Sequence, residues 1–110
     1  MNDLRAGFHG DLEEVRDSIV RLGATVIELI PRVTAVLLDQ DLEGAEYVIL
    51  GDDEVDARAT AIEEKALSLL ALQSPVAGDL RQVATALKIS TEMERSADLC
   101  CNICKSASFN

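Results

Sequence analysis

Aromatic side chains are almost missing: among 110 residues there is no Trp, one Tyr and two Phe. Strands draw heavily on aromatic and β-branched residues, so this composition argues against a β-sandwich and suits helices packed with aliphatics. Two Pro and six Gly leave few turns. His9 is the only histidine, so the Glu-x-x-His motifs of a ferritin-like di-iron site are not present. No motif places His9 beside a Ser or Cys nucleophile either, and no enzymatic function is expected. Basic residues are half as many as acidic ones, 10 against 20, for a net charge of −10. A chain this acidic is a poor binder of phosphate backbones, which disfavours nucleic acid. The apolar runs fall far short of a membrane span, and the polar opening MNDLRAGFHGDLEE has no secretory pattern. The three cysteines, Cys100, Cys101 and Cys104, are odd in number and tightly clustered. They make no disulfide framework, and a reducing, cytoplasmic compartment is expected.

What the chain does have is apolar residues, 48% of the total, in helical register. Phe8, Leu12, Val15, Ile19, Leu22, Val26, Leu29, Val33 and Val36 step alternately by four and three, a heptad seam over four repeats. A first helix over about 3–38 follows, with a bend expected at Pro31, whose ring crowds the Ile27 carbonyl and offers it no amide. Asp41 is a good N-cap for a second helix over about 41–72. Its seam reads Ala45, Val48, Asp52, Val55, Ala59, Ile62, Ala66 and Leu69. Ser74-Pro75 is a helix start, with Ser as cap and Pro in the first turn. The third helix, about 75–104, is expected to pack through Leu80, Val83, Leu87, Ile89, Met93, Ala97, Cys100 and Ile103. Three long helices with short joints predict an all-α, up-down-up antiparallel bundle filling residues 1–110.

The negative charge is concentrated. Residues 39–64 hold ten acids and one base, Arg58, while the segments before and after it are close to neutral. Such a run is ordinarily a solvated face. Asp52 departs from that expectation, because it falls on the seam of the second helix, where a carboxylate must be hydrogen-bonded, paired or metal-bound. Asp56 lies one turn on, on the same face. Glu94 and Asp98 repeat the spacing on the third helix. Asp52 precedes Ser74 by 22 residues and Asp98 follows it by 24, so a tight hairpin brings the two pairs to one level. Four carboxylates there would form an all-oxygen site suited to Mg²⁺, Mn²⁺, Ca²⁺ or iron.

The remaining constellations carry less. On a helix Cys100 and Cys104 share a face and Cys101 points away from it. Three thiols on one turn do not surround a tetrahedral ion, and small buried hydrophobes are the favoured reading. Arg81 and Arg95 suit salt bridges to a neighbouring helix, docking to a partner, or holding a phosphate over the metal.

Three segments resemble a known family. Met93-Glu94-Arg95-Ser96-Ala97-Asp98 followed by Asn102-Ile103-Cys104 resembles the ERxxD…NI signature of the PhoU family of phosphate-uptake regulators. Gly51-Asp52-Asp53-Glu54-Val55-Asp56 is similar to its GDxxVD segment. Ser74-Pro75-Val76-Ala77-Gly78-Asp79-Leu80-Arg81 is similar to its QP-x-A-x-DLR turn and helix start. The resemblance implies an all-α protein of two similar three-helix repeats, of which this chain matches the first. It also implies acidic motifs that bind iron or other metals, here Asp52, Asp56, Glu94 and Asp98. The implied role is to restrain the Pst phosphate transporter and to keep a PhoR-type sensor kinase quiet, without catalysis. The face that a sister repeat would cover predicts a homodimer. The alternative is a metal-free helical dimerisation or interaction module.

Overall fold

The computed structural model describes residues 2–72 and 77–107. They form three helices: α1 (Asn2–Asp39), α2 (Leu42–Leu72) and α3 (Ala77–Ser106). The rod measures 63 × 18 × 16 Å. Cross-helix contacts fix the directions. Lys65 pairs with Asp11 and Glu14, Arg58 reaches Thr25, and the Arg32 guanidinium lies 4.1 Å over the Tyr47 ring. Later residues of α2 therefore meet earlier residues of α1, and the two run antiparallel. His9 faces Asp79 at 3.5 Å and Arg16 meets Gln82, so α3 runs parallel to α1. The expected all-α, up-down-up bundle is what these contacts describe.

The seam of α1 is buried as the heptads predict, from Phe8 to Val36, with Ile19 half-buried. Burying a large aliphatic contributes about 1.5–3 kcal/mol, and Leu22 and Val36 are fully enclosed. α1 continues through Pro31 as one helix. Pro31 and Ile27 both lie on the exposed surface, so water can serve the Ile27 carbonyl that the missing amide leaves unpaired.

The joint between α1 and α2 is two residues long. Gln40 takes a positive φ of 56°, the left-handed turn that ends a helix. Asp41 then caps α2: its Oδ1 accepts from the Gly44 amide at 3.0 Å, and its carbonyl accepts from Ala45 at 3.0 Å. The Ser74-Pro75 start expected for α3 lies outside the described residues.

α3 departs from the expected seam. Val83 and Ala97 are buried, but Leu80 and Ile89 are exposed, and Leu87, Met93, Cys100 and Ile103 are only half-buried. The buried positions are instead Asp79, Val83, Ala86, Ser90, Ala97, Cys101 and Cys104. Small side chains let α3 lie close to α2: Ser90 Oγ donates to the Ala59 carbonyl at 3.4 Å, and Ala59 is fully buried. On the other side, Met93 lies against Gly23, where a Cβ would come within 3.0 Å of its Cε.

Candidate metal centre

Acidic side chains line the seam between α2 and α3. Asp52 sits on the heptad seam of α2 and is half-buried. Its Oδ1 is enclosed and has no hydrogen-bond partner. A buried, unserved carboxylate oxygen costs free energy unless a cation or donor satisfies it. Desolvation is the largest cause that pushes the Asp52 carboxyl above its ordinary range, followed by the charges of Asp56, Asp98 and Asp53; Lys105 works in the opposite sense.

One oxygen from each of Asp52, Asp53 and Asp56 falls within 4.8 Å of the others. Asp52 and Asp56 meet because they are one turn apart. Asp53 joins from the exposed side, a neighbour the sequence reading had not included. The two expected acids of α3 come to the same edge. Asp98 acts on Asp52 through its charge, and it accepts a hydrogen bond from Asn102 Nδ2 at 3.4 Å. Asn102 is thereby given a local role, holding the carboxylate one turn before it. Glu94 feels the charge of Asp56. The antiparallel hairpin thus sets Asp98 opposite Asp52 and Glu94 opposite Asp56.

Glu94 also has a partner that spacing alone did not single out. It is hydrogen-bonded to Glu63, and this bond, desolvation and the Glu63 charge push its carboxyl up to about 7. The bond favours the protonated form of Glu94. Glu63 lies seven residues beyond Asp56, two turns along the same edge, which is the signal that could have found it.

Other polar groups define the border. Arg95 pairs with Glu92 on the exposed side of α3 and is not part of the edge. Cys101 is buried, and burial, with the nearby charges of Asp52 and Asp98, pushes its thiol up; burial does the same to Cys100 and Cys104. Thiols held protonated are poor metal ligands at neutral pH, which suits the small-hydrophobe reading. Cys101 nevertheless turns inward with Cys104, and is not directed away from that face. His9 is exposed and its ring is tilted 57° against that of Phe8, far along the rod from the acids.

The donor set fits a hard cation. The oxygens are carboxylates, one of them is buried and unserved, and like charges crowd at one level. Asp52, Asp53 and Asp56 could hold an ion from α2, whereas Asp98 and Glu94 stand across the seam and are not part of this close cluster.

The sequence pattern of the PhoU domain matches residues 19–107. The chain is 37% identical over 97 residues to a phosphate-specific transport system accessory protein PhoU homolog of Aquifex aeolicus, covering 88% of this chain and 44% of that protein. The corresponding homolog of Clostridium acetobutylicum is 38% identical over 99 residues, covering 89% and 45%. The PhoU accessory protein of Escherichia coli is 32% identical over 100 residues, covering 91% and 42%. The chain spans less than half the length of these relatives. No helix among the described residues is long and apolar enough to cross a membrane. With a bundle of three long helices and a family pattern running through all of them, the chain belongs to the PhoU domain family.

Proposed function

We propose that this chain regulates phosphate uptake. It restrains a Pst-type phosphate transporter and keeps a PhoR-type sensor kinase quiet when phosphate is plentiful. It acts in the cytoplasm and performs no catalytic step. A homodimer is part of the same reading. Supporting it are the family membership and the shared name of the relatives, accessory proteins of the phosphate-specific transport system.

The metal is the second part of the proposal. Asp52, Asp56, Glu94 and Asp98 hold a divalent or trivalent cation: iron, Mg²⁺ or Mn²⁺. The single observation that carries it is the enclosed, unpartnered Oδ1 of Asp52 among like charges. A bound cation supplies positive charge that relieves the crowding and leaves coordination positions for water or phosphate. Asp52 and Asp98 anchor it from the two helices, and Asn102 keeps Asp98 oriented.

One observation favours the metal-free interaction module. Glu94 has Glu63 as a hydrogen-bonding neighbour, and its carboxyl, pushed up to about 7, carries less negative charge for an ion to neutralise. The two readings separate on Asp52, whose enclosed oxygen has no hydrogen-bonding neighbour.

The test is expression in a bacterium lacking its own phosphate-transport accessory protein. Phosphate uptake and a phosphate-starvation reporter are read in rich phosphate. The expected result is slower uptake and a silent reporter. A well-expressed chain that changes neither contradicts the regulatory role.

A further inference from the structure

The three grooves of the bundle differ in chemistry. Acids line the α2–α3 seam, and aliphatics such as Val20 and Ile89 border the α1–α3 groove. The α1–α2 groove holds a cavity of about 420 Å³, and small-molecule pockets run from about 300 to 1,000 Å³. Its origin is short side chains: Ser18 of α1 and Ala61 of α2 both line it, and neither is long enough to fill it. Buried Val15 and Ile62 give it an apolar floor. Three cations stand around it: Arg21 from α1, and Arg58 and Lys65 from α2. That is an uncommon gathering on a chain of net charge −10.

The carboxylates nearby decide which cations are available. Lys65 is held between Asp11 and Glu14, at 3.4 and 3.0 Å, so its end of the groove has no spare positive charge. Arg58 pairs with Glu54 at 2.9 Å through one terminal nitrogen and donates to Thr25 Oγ1 at 3.3 Å through the other. Arg21 pairs with no carboxylate among the described residues, not even Asp17 one turn before it. Its bond is to the neutral Ser18 hydroxyl, at 3.3 Å. The Arg21–Arg58 end therefore carries two guanidiniums against one carboxylate, Glu54. The Arg58–Glu54 pair is an exposed pair one turn apart, worth about 0.3–0.5 kcal/mol, and yields to a stronger anion.

The hydroxyls divide the remaining work. Thr25 accepts from Arg58 and donates to the Arg21 carbonyl at 3.1 Å, so it positions the Arg58 guanidinium. Ser18 accepts from Arg21, and its own proton stays available to an acceptor in the cavity. Two guanidiniums from facing helices and one hydroxyl are donors matched to a phosphate group, whose oxygens accept several such bonds at once. Asp11 and Glu14 repel a second anion at the far end, and the floor is apolar. We infer that the α1–α2 groove binds a small phosphate monoester, its phosphate between Arg21 and Arg58 and its apolar body over Val15 and Ile62. The site depends on neither the metal nor the transport role.

Calorimetric titration of the 110-residue chain with phenyl phosphate tests it, at neutral pH, low salt and in EDTA, so that phosphate carried by metal at the acidic seam is not read. The parent should bind one equivalent with a Kd below about 1 mM. Inorganic phosphate, which lacks the body, should bind at least about tenfold more weakly. Arg21→Gln with Arg58→Gln should abolish binding at unchanged helical content, since both side chains are exposed. Ala61→Leu fills the cavity without changing charge and should weaken phenyl phosphate by about tenfold or more. Arg95→Gln, on the outer side of α3, should bind as the parent does. A parent without saturable binding, binding that survives the arginine pair or Ala61→Leu, loss of binding in Arg95→Gln, or inorganic phosphate held as tightly as the ester would overturn it.

Discussion

Glu94 of α3 lies against Glu63 of α2 across the helix seam, and that neighbour, with desolvation, pushes the Glu94 carboxyl up to about 7. Its ordinary value is 4.5, so the folded chain holds the Glu94 proton more tightly than the unfolded chain does. The stability it contributes is fully present below about pH 4.5 and is lost as the pH rises through 7. Asp52 is shifted in the same direction. The metal-free protein should therefore melt at a higher temperature at pH 5.5 than at pH 8, and Glu94→Gln should flatten the difference. Thermal melts in EDTA at the two pH values check this, and equal melting temperatures for the parent would contradict it.

Asp52 gives a substitution whose sign depends on metal. Asp52→Leu removes an enclosed oxygen that has no partner. In EDTA the variant should be more stable than the parent by about 1–2 kcal/mol, the cost of one unserved buried polar group. In Mn²⁺ the order should reverse, because the parent gains binding energy that the variant cannot. Denaturant melts with and without Mn²⁺ read both signs.

Ser90 is fully buried and its hydroxyl donates to the Ala59 carbonyl. Ser90→Leu would force α3 away from α2 and should cost about 1–3 kcal/mol or more, the usual penalty of overpacking. Ser90→Ala keeps the close approach and should cost at most about 1 kcal/mol. Urea unfolding of the two variants gives the comparison, and a tolerated leucine would show that the helices are not tightly apposed there.

The α1–α2 joint offers a pair of opposite effects. Asp41→Ala removes the cap on the Gly44 amide and should cost about 1 kcal/mol. Gln40→Gly places a glycine at a φ of 56°, where a side chain is disfavoured. It should be neutral or stabilising by a few tenths of a kcal/mol, up to about 1. Thermal melts resolve both directions.

The seam of α1 is legible because large aliphatics recur at heptad spacing, and that of α2 because Val48, Val55, Ile62 and Leu69 recur every seven residues with alanines between them. Asp41 is readable as a cap because aspartate favours that position. α3 was misread at Leu80 and Ile89 because size was followed in place of register. The buried line runs through Ala86, Ser90 and Cys101, small residues that carry little hydrophobic signal but permit close packing. The candidate site was legible where it depends on spacing within a helix, as for Asp52 with Asp56 and Glu94 with Asp98. The Glu63–Glu94 bond depends on the register between two helices. That register is set by how closely the Ala59–Ser90 contact lets them approach, and no pattern within either helix records it.

The central claim, that the carboxylates of the α2–α3 seam form a metal site, is tested most directly by calorimetric titration of Mn²⁺ into the metal-free protein at pH 8. The experiment is repeated on Asp52→Asn with Asp98→Asn, which keeps the shapes and removes two charges. The account predicts saturable binding by the parent and its loss in the double variant. A parent that takes up no Mn²⁺, or a variant that binds it as tightly as the parent, would contradict it and leave the acidic seam a solvated face.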